Sequence, residues 1–482
     1  MERSSIRQAA AVFLPALFVP LLLHLLSLRG APPPRRLIVG VLSARDHLSE
    51  RQVIRQTWGS ALQGLPDVEM KFVLGDQDCA VPPADRISPD GCEVWHPRKR
   101  DWESSKLRQF FKSHYSQYKK NFRSLDDCYI GLGFRVLHPV IVEKFLVHRE
   151  ILKESNNTVV IFSDPEEVIE QVVLSHSVCH DEGDLCSIKL SSFLRLPKGF
   201  EGELRLFSLE EKEELCGEGL YDFNDTKKWV CDWNNSSVLE YKFLRTRRNT
   251  LIQWHKSSCP LVSAKYTVAD KSALKQHKET QAERAEEWKQ HLADLQLKLE
   301  EEQNHHSDLL ILPHLDVYNN LPHKVMAYLS WTAYKQNSFY LMKVDDDTFV
   351  NVNLLSMLTE VQSEEDQAWW SLFHYRRSVP AYGKWADFTY PSLTYPTFPA
   401  GSGYVMTKSL VHAVVDAQHH LVPHGGEDVS MGIWVSSVSA RARHVEVPCW
   451  LPHLDCSESV LVPQLSVQQM VEVWHNQTNI IQ

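Results

Sequence analysis

The chain has 482 residues, of which 43% are hydrophobic and 23% are charged, so it is not disordered and can bury a sizeable core. At about 150 residues per domain, this length predicts two or three domains. The formal net charge is −10 and there is no long Lys/Arg tract, which argues against a nucleic-acid-binding protein. A single long apolar run excludes a polytopic membrane protein.

The N-terminal segment predicts a signal anchor. Residues 1–8 form a short tail, residues 9–28 an apolar run close to the ~20 residues that cross a bilayer, and residues 29–36 a short Pro-rich stem. A cleaved signal peptide is the alternative, but the segment LSLRGAPPP offers a poor cleavage site. We expect a single-pass type II protein with its body in the lumen of the endoplasmic reticulum or Golgi apparatus.

Cysteines and glycosylation sequons also favour the lumen. The chain has ten Cys, an even number that permits disulfides in a secretory protein. Cys79 with Cys92, and Cys449 with Cys456, are close enough in sequence to suggest pairs, although spacing alone does not give the connectivity. Acceptor sequons lie at Asn156, Asn224, Asn234, Asn235 and Asn476.

The first elements after the stem predict an α/β domain. Residues 37–44 (LIVGVLSA) are an apolar run typical of a buried strand. Residues 45–59 predict a loop followed by an amphipathic helix, with Ser49 as its cap and Gly59 at its end. Residues 69–76 (EMKFVLGD) predict a second strand. A strand–helix–strand unit implies a parallel sheet.

A long insertion follows this unit. Residues 77–270 contain most of the Cys and several β-rich runs, which predict a small all-β domain of the sandwich type. Residues 271–303 predict a charged helix with a two-heptad apolar seam. The seam consists of Ala285, Trp288, Leu292, Leu295 and Leu299. The helix either packs on its own domain or pairs with a partner, and sustained coiled coils need three or more heptads. The α/β domain therefore comprises residues 37–76 and 304–482.

The strongest chemical signal is an acidic cluster at the end of a strand. The α/β pattern resumes at residues 308–321, continues in a helix opened by Pro322, and returns to a strand that ends in Asp345, Asp346 and Asp347. An extended backbone places the first and third carboxylates on one side, where they form a hard-oxygen site for Mn²⁺ or Mg²⁺. Open α/β sheets bind ligands at this end of their strands. An exposed acidic turn is the alternative.

Two further motifs contain candidate functional residues. Gly401 and Gly403 flank Ser402 before an apolar segment, and glycines allow close approach of a ligand to the backbone, although such a pair is usually just a turn. Glu427 and Asp428 lie where a helix is predicted to begin. A helix N-terminus keeps a carboxylate ionised, so that it can act as a general base. Ordinary acidic capping of a first turn is the alternative.

Together these motifs resemble the β-1,3-glycosyltransferase family of the secretory pathway, glycosyltransferase family 31. The matching pieces are RQVIRQTWG, KFVLGD, KVDDDTFVN, YP…GSGYV and GEDVSMG. The chain departs from the family pattern at the insertion after Asp76, where it is similar to the N-acetylgalactosaminyltransferases of that family. The resemblance implies a GT-A-like nucleotide-sugar-binding sheet, UDP-GalNAc as donor, Mn²⁺ as cofactor, and a terminal β-GlcNAc of an O-mannosyl glycan, as on α-dystroglycan, as acceptor.

The resemblance also implies residue roles on the donor side. Asp347 is expected to bind the metal, with Asp345 as a second ligand. Asp345 and Asp346 are expected near the donor's ribose, and Ser43 and Arg55 near the nucleotide.

On the acceptor side, Asp428 is expected to be the general base of an inverting displacement. Acceptor contacts are expected from Trp385, Tyr395 and Glu427. His444 and His453 are weaker candidates for a further metal ligand.

Three alternatives remain open from the sequence. The enzyme could transfer galactose or N-acetylglucosamine, as others in the same family do. A glycosidase could use Glu427 and Asp428, but adjacent residues rarely face one bond from opposite sides. A non-catalytic luminal glycan-binding protein is the third alternative. Residues 77–300 are expected to be separable from the chemistry, because all the motifs lie outside them.

Overall fold

A computed structural model gives the structure of most of the chain. It describes residues 36–65, 67–104, 106–115, 129–148, 158–174, 179–182, 185–208, 229–233, 237–246, 251–253, 262–335, 338–356 and 366–480. The predicted anchor at residues 9–28 lies outside these ranges, as do four of the sequons, those at Asn156, Asn224, Asn234 and Asn235. Within the described ranges, no helix is long and apolar enough to cross a membrane.

A seven-stranded sheet forms the centre of the α/β domain. With strands numbered in chain order, its spatial order is β16 (Leu309–Leu315), β2 (Val68–Gln77), β1 (Arg36–Leu42), β17 (Ser338–Asp345), β22 (Gly403–Thr407), β19 (Ala368–Ser371) and β23 (Arg443–Glu446). The first four are parallel, whereas β22 is antiparallel to both of its neighbours. The two segments on either side of the insertion therefore share one sheet, and the mixed α/β fold expected from the sequence is confirmed.

Helices cover both faces of this sheet because apolar side chains alternate along its strands. Leu37, Val39 and Val41 of β1 face one core, and Ile38 and Leu42 face the other. The first face packs against α1 (Leu48–Gln56), α2 (Trp58–Gln63), α5 (Gln281–His306) and α10 (Val467–Ile480). The second face packs against α6 (Leu321–Ala333), α8 (Lys408–Asp416) and α9 (Glu427–Val438). Pro322 lies in the first turn of α6, as predicted.

The first helix differs from its prediction at both ends. It begins after His47, and the Ser49 hydroxyl donates to Glu50 at 2.8 Å instead of capping the helix. A break at Thr57 separates α1 from α2, so Gly59 lies inside the second helix. A Cβ at Gly59 would lie 2.6 Å from the Ile54 carbonyl oxygen. The glycine therefore permits the close junction of two helices and does not mark the end of one.

The insertion forms two facing β-sheets. One contains β3 (Arg108–Gln109), β15 (Val262–Val268), β6 (Val140–His148), β10 (Leu185–Leu196) and β9 (His180–Glu182). The other contains β14 (Leu251–Gln253), β13 (Leu239–Thr246), β5 (Tyr129–Val136), β11 (Glu201–Ser208), β7 (Thr158–Ser163) and β8 (Val168–Val173). Phe145 from the first sheet and Phe162 from the second belong to one buried core, which is the arrangement of a sandwich.

The remaining elements are short. They are β4 (Phe111–Tyr115), which pairs with β12 (Trp229–Trp233), together with β18 (Phe349–Val350), β20 (Phe373–His374), β21 (Phe398–Pro399), β24 (Leu461–Val462), α3 (Lys99–Glu103), α7 (Val352–Ser356) and the 3₁₀ turns Pro83–Asp85, Tyr318–Asn320 and Gln418–His420.

The charged segment after the insertion packs on the α/β domain. It consists of α4 (Lys271–Glu279) and α5, with a break at Thr280. Leu295 and Leu299 of the predicted seam are buried in the core of the central sheet. Trp288 Nε1 donates to the Cys79 carbonyl at 2.8 Å. The apolar seam thus packs against the α/β domain of the same chain.

Disulfides close three loops within the described ranges. The two expected pairs, Cys79–Cys92 and Cys449–Cys456, are both present. Cys179–Cys186 is a third pair, inside the insertion.

Candidate active site

A buried lysine brings the three sequence motifs together. Lys343 lies in β17, and its side chain is 2% exposed. Its Nζ lies 2.8 Å from Asp345 Oδ1 and 2.9 Å from Glu427 Oε2, and it donates to the Gly401 carbonyl. Burial lowers the pKa of Lys343, but the two carboxylates outweigh burial and raise it above its usual range. A charged ammonium therefore joins the end of β17, the turn before β22 and the start of α9.

The environment of Glu427 differs from the one expected for an acceptor contact. Its side chain is 5% exposed. The Tyr404 hydroxyl donates to Oε1 at 2.6 Å, and Lys343 occupies Oε2. Burial and the charge of Asp428 raise the pKa of Glu427 to about 7, against the opposing effect of Lys343. Because both oxygens are engaged inside the protein, Glu427 fixes the first turn of α9 and does not offer a free carboxylate to a sugar.

Asp428, the predicted base, is the next residue of the same turn and is half-buried. The Val429 amide donates to its Oδ1 at 2.8 Å. A Cβ at Gly401 would lie 3.3 Å from its Oδ2, so the glycine lets this carboxylate approach the turn. Burial raises the pKa of Asp428, and the Val429 amide and Lys343 oppose the shift. A carboxylate with a raised pKa is a better proton acceptor than an ordinary one.

The acidic cluster begins at Asp345, the last residue of β17, and continues into the turn that follows. Asp345 is 37% exposed, whereas Asp346 is largely buried and lies 2.8 Å from His47 Nδ1. Burial raises the pKa of Asp347, and the charges of Asp345 and Asp346 raise it further. The sequence interpretation missed His47, although its position just after β1 placed it at the ligand-binding end of the sheet.

The cluster fits a divalent cation through a small donor set. In the described part of the chain, no three His, Cys, Asp or Glu side chains converge as a metal site. Two aspartates suffice for Mg²⁺-type ions in diphosphate sites, since phosphate oxygens and waters complete the coordination. The repulsion that raises the pKa of Asp347 is also what a cation would relieve. His444 packs 5.2 Å from the Trp369 ring, and His453 is 68% exposed beside Asp455.

Two residues expected near the nucleotide have other partners. The Arg55 guanidinium is 7% exposed and pairs with Glu302 at 2.7 Å and Asp308 at 2.8 Å. Ser43 is 2% exposed, and its hydroxyl accepts a hydrogen bond from Arg51 at 3.0 Å. Arg55 therefore links α1 to α5, and its contact with a nucleotide stays a prediction. The sequence could not show these pairs because Glu302 and Asp308 lie about 250 residues away from Arg55 in the chain.

The two aromatic residues expected on the acceptor side differ in exposure. Trp385 is 60% exposed, and its Nε1 donates to the Tyr318 hydroxyl at 2.9 Å. Tyr395 is 5% exposed and donates to Asp387 at 3.2 Å, so it supports the loop and does not present a ring to a ligand. Tyr318 is a further residue that the sequence interpretation missed. Burial raises its pKa, and the charges of Asp428 and Asp345 raise it further.

The family comparison matches the part of the chain that contains these motifs. The model of the Galactosyltransferase family matches residues 288–446. This stretch runs from α5 to β23 and includes the acidic cluster, Lys343 and Asp428.

Similar proteins extend the comparison over the rest of the chain. UDP-GalNAc:beta-1,3-N-acetylgalactosaminyltransferase 2 of Mus musculus is 28% identical over 453 residues, which cover 91% of this chain and 86% of that protein. The Xenopus laevis protein of the same name is 27% identical over 467 residues, which cover 92% and 90%. Beta-1,3-galactosyltransferase 6 of Mus musculus is 33% identical over 150 residues, 30% of this chain and 46% of that protein.

A solved structure was also matched. The crystal structure of a glycosyltransferase involved in the glycosylation of the major capsid of PBCV-1 covers 36% of this chain and 89% of that chain, with 14% identity and a TM-score of 0.21. A likeness of this size carries no argument about function.

Proposed function

We propose that the chain transfers GalNAc from UDP-GalNAc, in β-1,3 linkage, to a terminal β-linked GlcNAc. The match of residues 288–446 to the Galactosyltransferase family supports a hexosyltransferase. The family domain at residues 288–446 argues against the glycosidase and non-catalytic alternatives. The names of the relatives similar over about nine-tenths of the chain support GalNAc as the transferred sugar.

The observation that carries this proposal is the joining of three motifs by Lys343. Its contacts with Asp345 and Glu427 place the acidic cluster and the first turn of α9 on two sides of one ammonium group. Asp428 thereby lies beside the glycine turn before β22. One side of the site can bind a diphosphate through a cation, and the other holds a proton acceptor.

The proposed reaction is a single displacement with inversion. Asp428 accepts the proton of the acceptor 3-hydroxyl while that oxygen bonds to the anomeric carbon of the donor. The bond between this carbon and the diphosphate oxygen breaks, and UDP leaves with the electron pair. Lys343 and Tyr404 fix Glu427, and so fix the helix turn from which Asp428 projects.

Asp347 and Asp345 are the proposed ligands of Mn²⁺, and Asp346 is proposed to lie near the donor. A divalent ion bound there supplies charge stabilisation for the leaving diphosphate, which a glycosidase would obtain from a second carboxyl acting as an acid. His47 Nδ1 lies 2.8 Å from Asp346 Oδ2 and so positions this carboxylate.

The compartment and natural acceptor are further parts of the proposal. A GT-A-type luminal enzyme anchored through residues 9–28 accords with the disulfides and with the exposed sequon at Asn476. An O-mannosyl glycan of the α-dystroglycan type is the proposed acceptor.

A UDP-release screen tests the proposal directly. UDP-GalNAc, UDP-Gal and UDP-GlcNAc are each offered with Mn²⁺ and a β-linked GlcNAc glycoside, and we expect the highest turnover with UDP-GalNAc. Preference for UDP-Gal would instead favour a β-1,3-galactosyltransferase, which the 33% identity with beta-1,3-galactosyltransferase 6 makes the second candidate. Turnover with none of the three donors would contradict both.

A further inference from the structure

A polar cavity lies between the inserted sandwich and the α/β domain. Its volume is about 550 Å³, within the ~300–1,000 Å³ usual for small-molecule sites. The sandwich contributes Arg135, Glu240 and Lys242, and the segment after β16 contributes Asn319. Lys384 and its neighbours in the loop of residues 383–388, here called the bridging loop, close the cavity on the side of the α/β domain.

The bridging loop connects this cavity to the catalytic turn. A Cβ at Gly425 would lie 3.1 Å from the Trp385 carbonyl oxygen, and the Gly425 amide donates to Asp387 at 3.2 Å. Gly425 lies three residues before Asp428. The loop therefore has the start of α9 on one side and the cavity on the other.

The sandwich fixes the same loop from the opposite direction. Tyr382, the residue just before the loop, donates its hydroxyl to Glu203 at 2.7 Å, and the Gly383 amide of the loop donates to Glu201 at 2.6 Å. Both glutamates belong to β11 of the insertion. Residues 77–300 thus reach the acceptor side of the site through this loop. The insertion therefore lies closer to the chemistry than the sequence predicts.

The chemistry of the cavity lining suits a sugar. Lys242 and Arg135 supply donors, and Glu240 supplies a carboxylate whose Oε2 lies 3.0 Å from Lys242 Nζ and 3.7 Å from Arg135 Nη1. Asn319 adds an amide that can both donate and accept. Sugar hydroxyls need donors and acceptors together, whereas a phosphate would favour donors alone. Tyr318, beside Asn319, contacts the Trp385 indole and lies under the Lys384 ammonium, which is 3.4 Å from its ring centroid.

We infer that this cavity is an acceptor subsite for the neutral sugar unit that precedes the terminal GlcNAc. The inference rests on the proposed function, since it assumes that the terminal sugar binds beside Asp428. The terminal unit then lies over Tyr318 and Trp385, and the next unit occupies the cavity, where Lys242 donates to one of its hydroxyls. The insertion thus selects acceptors by their length and by the identity of the second sugar, while the α/β domain catalyses the transfer.

The test compares two acceptors, a simple glycoside of β-linked GlcNAc and a disaccharide that carries mannose beneath the same GlcNAc. We expect the wild-type chain to have a kcat/KM about tenfold higher for the disaccharide. Lys242→Ala should lower kcat/KM for the disaccharide about tenfold, which is the usual effect of losing one hydrogen bond from a charged group. Its kcat/KM for the monosaccharide glycoside should stay unchanged.

Lys189→Ala is the matched control, because Lys189 is an exposed lysine on β10 of the other sheet of the sandwich. It should leave both rates unchanged. Lys242→Gln serves as a second variant if the alanine variant melts at a lower temperature, and it should show a smaller loss on the disaccharide alone. Equal loss on both acceptors, no loss on the disaccharide, or no preference for it in the wild type would overturn the inference.

The subsite and the proposed function fail in different ways. If another UDP-sugar is the true donor, the acceptor comparison is made with that donor and still tests the subsite. If no donor supports turnover, the kinetic comparison is replaced by calorimetric binding of the disaccharide to the wild type and to Lys242→Ala. Equal affinities there would overturn the subsite, and a weaker affinity for the variant would support it.

Discussion

Replacing Lys343 by Met tests the role of the buried ammonium in both stability and catalysis. Met keeps much of the side-chain length but leaves the Asp345 and Glu427 carboxylates without their shared partner. Breaking a buried ion pair by removing one partner typically costs about 3–5 kcal/mol. Asp345 is 37% exposed, so water screens its part of the loss, and Glu427, at 5% exposed, accounts for most of it.

The pKa of Glu427 limits the cost of this substitution. Because that pKa is already about 7, the carboxyl in Lys343→Met takes up a proton at neutral pH and does not remain a bare buried charge. We therefore expect the lower end of the range, about 3 kcal/mol. At about 2–4 °C per kcal/mol for a domain of 150–250 residues, the melting temperature falls by roughly 6–12 °C.

The sign of the pH dependence follows from the same proton. In the variant, the folded state keeps the Glu427 proton, whereas the unfolded chain releases it above its ordinary pKa of 4.5. Glu427 of the folded wild type keeps the same proton up to its own pKa of about 7. Stability relative to the wild type therefore falls only as pH rises above about 7, where the wild type releases the proton and the variant keeps it, by up to about 1.4 kcal/mol per pH unit. Turnover should also fall, since the turn carrying Asp428 loses its anchor.

Thermal melting of the wild type and Lys343→Met between about pH 5 and pH 8 measures both effects. Lys408→Met is the control, because the Lys408 ammonium donates to the Lys335 carbonyl and has no part in the site. A shift of less than about 2 °C for Lys343→Met, or one that is the same at both ends of the pH range, would refute the assignment.

Three further predictions concern single groups. Asp347→Asn should lose Mn²⁺-dependent UDP binding and turnover together, and calorimetry beside a turnover assay that finds either one retained would count against the metal assignment. Since burial raises the pKa of Asp428, kcat should decline with falling pH at a value above the usual 3.8, and a pH profile that stays flat down to that value would oppose a base in this position. A Cβ at Gly40 would lie 2.2 Å from the Tyr328 ring, so Gly40→Ala should cost about 1–3 kcal/mol of unfolding free energy, and denaturant unfolding that matches the wild type would contradict this packing.

Strong local patterns in the sequence predicted much of the fold. Local patterns of a few residues were enough to predict strands β1, β2 and β17, which are apolar runs. The same holds for the start of α6, which a proline marks. The Ser49 cap was wrong because the helix already begins at Leu48, after His47. The His47 ring contacts Asp346, a partner 299 residues away that the local sequence does not show. The break at Thr57 likewise depends on how α1 and α2 pack beneath the sheet.

The site was predicted in its motifs but not in its internal contacts. The sequence identified Glu427 and Asp428 as a pair, yet only the orientation of α9 decides which one points inward to Lys343. Lys343 itself has a local signal, since it interrupts an apolar strand two residues before Asp345 and therefore shares a face with it. The difference between the exposed Trp385 and the buried Tyr395 arises from loop packing, which residue type does not predict.

Asp428→Asn, measured for UDP binding and for turnover side by side, tests the central claim most directly. The amide keeps the size of the side chain but cannot accept the proton of the acceptor hydroxyl. We predict that calorimetric binding of UDP with Mn²⁺ stays close to that of the wild type while kcat falls by about 10²–10⁴-fold, as expected for loss of a general base. Turnover above about a tenth of the wild-type value, or loss of UDP binding, would contradict the account.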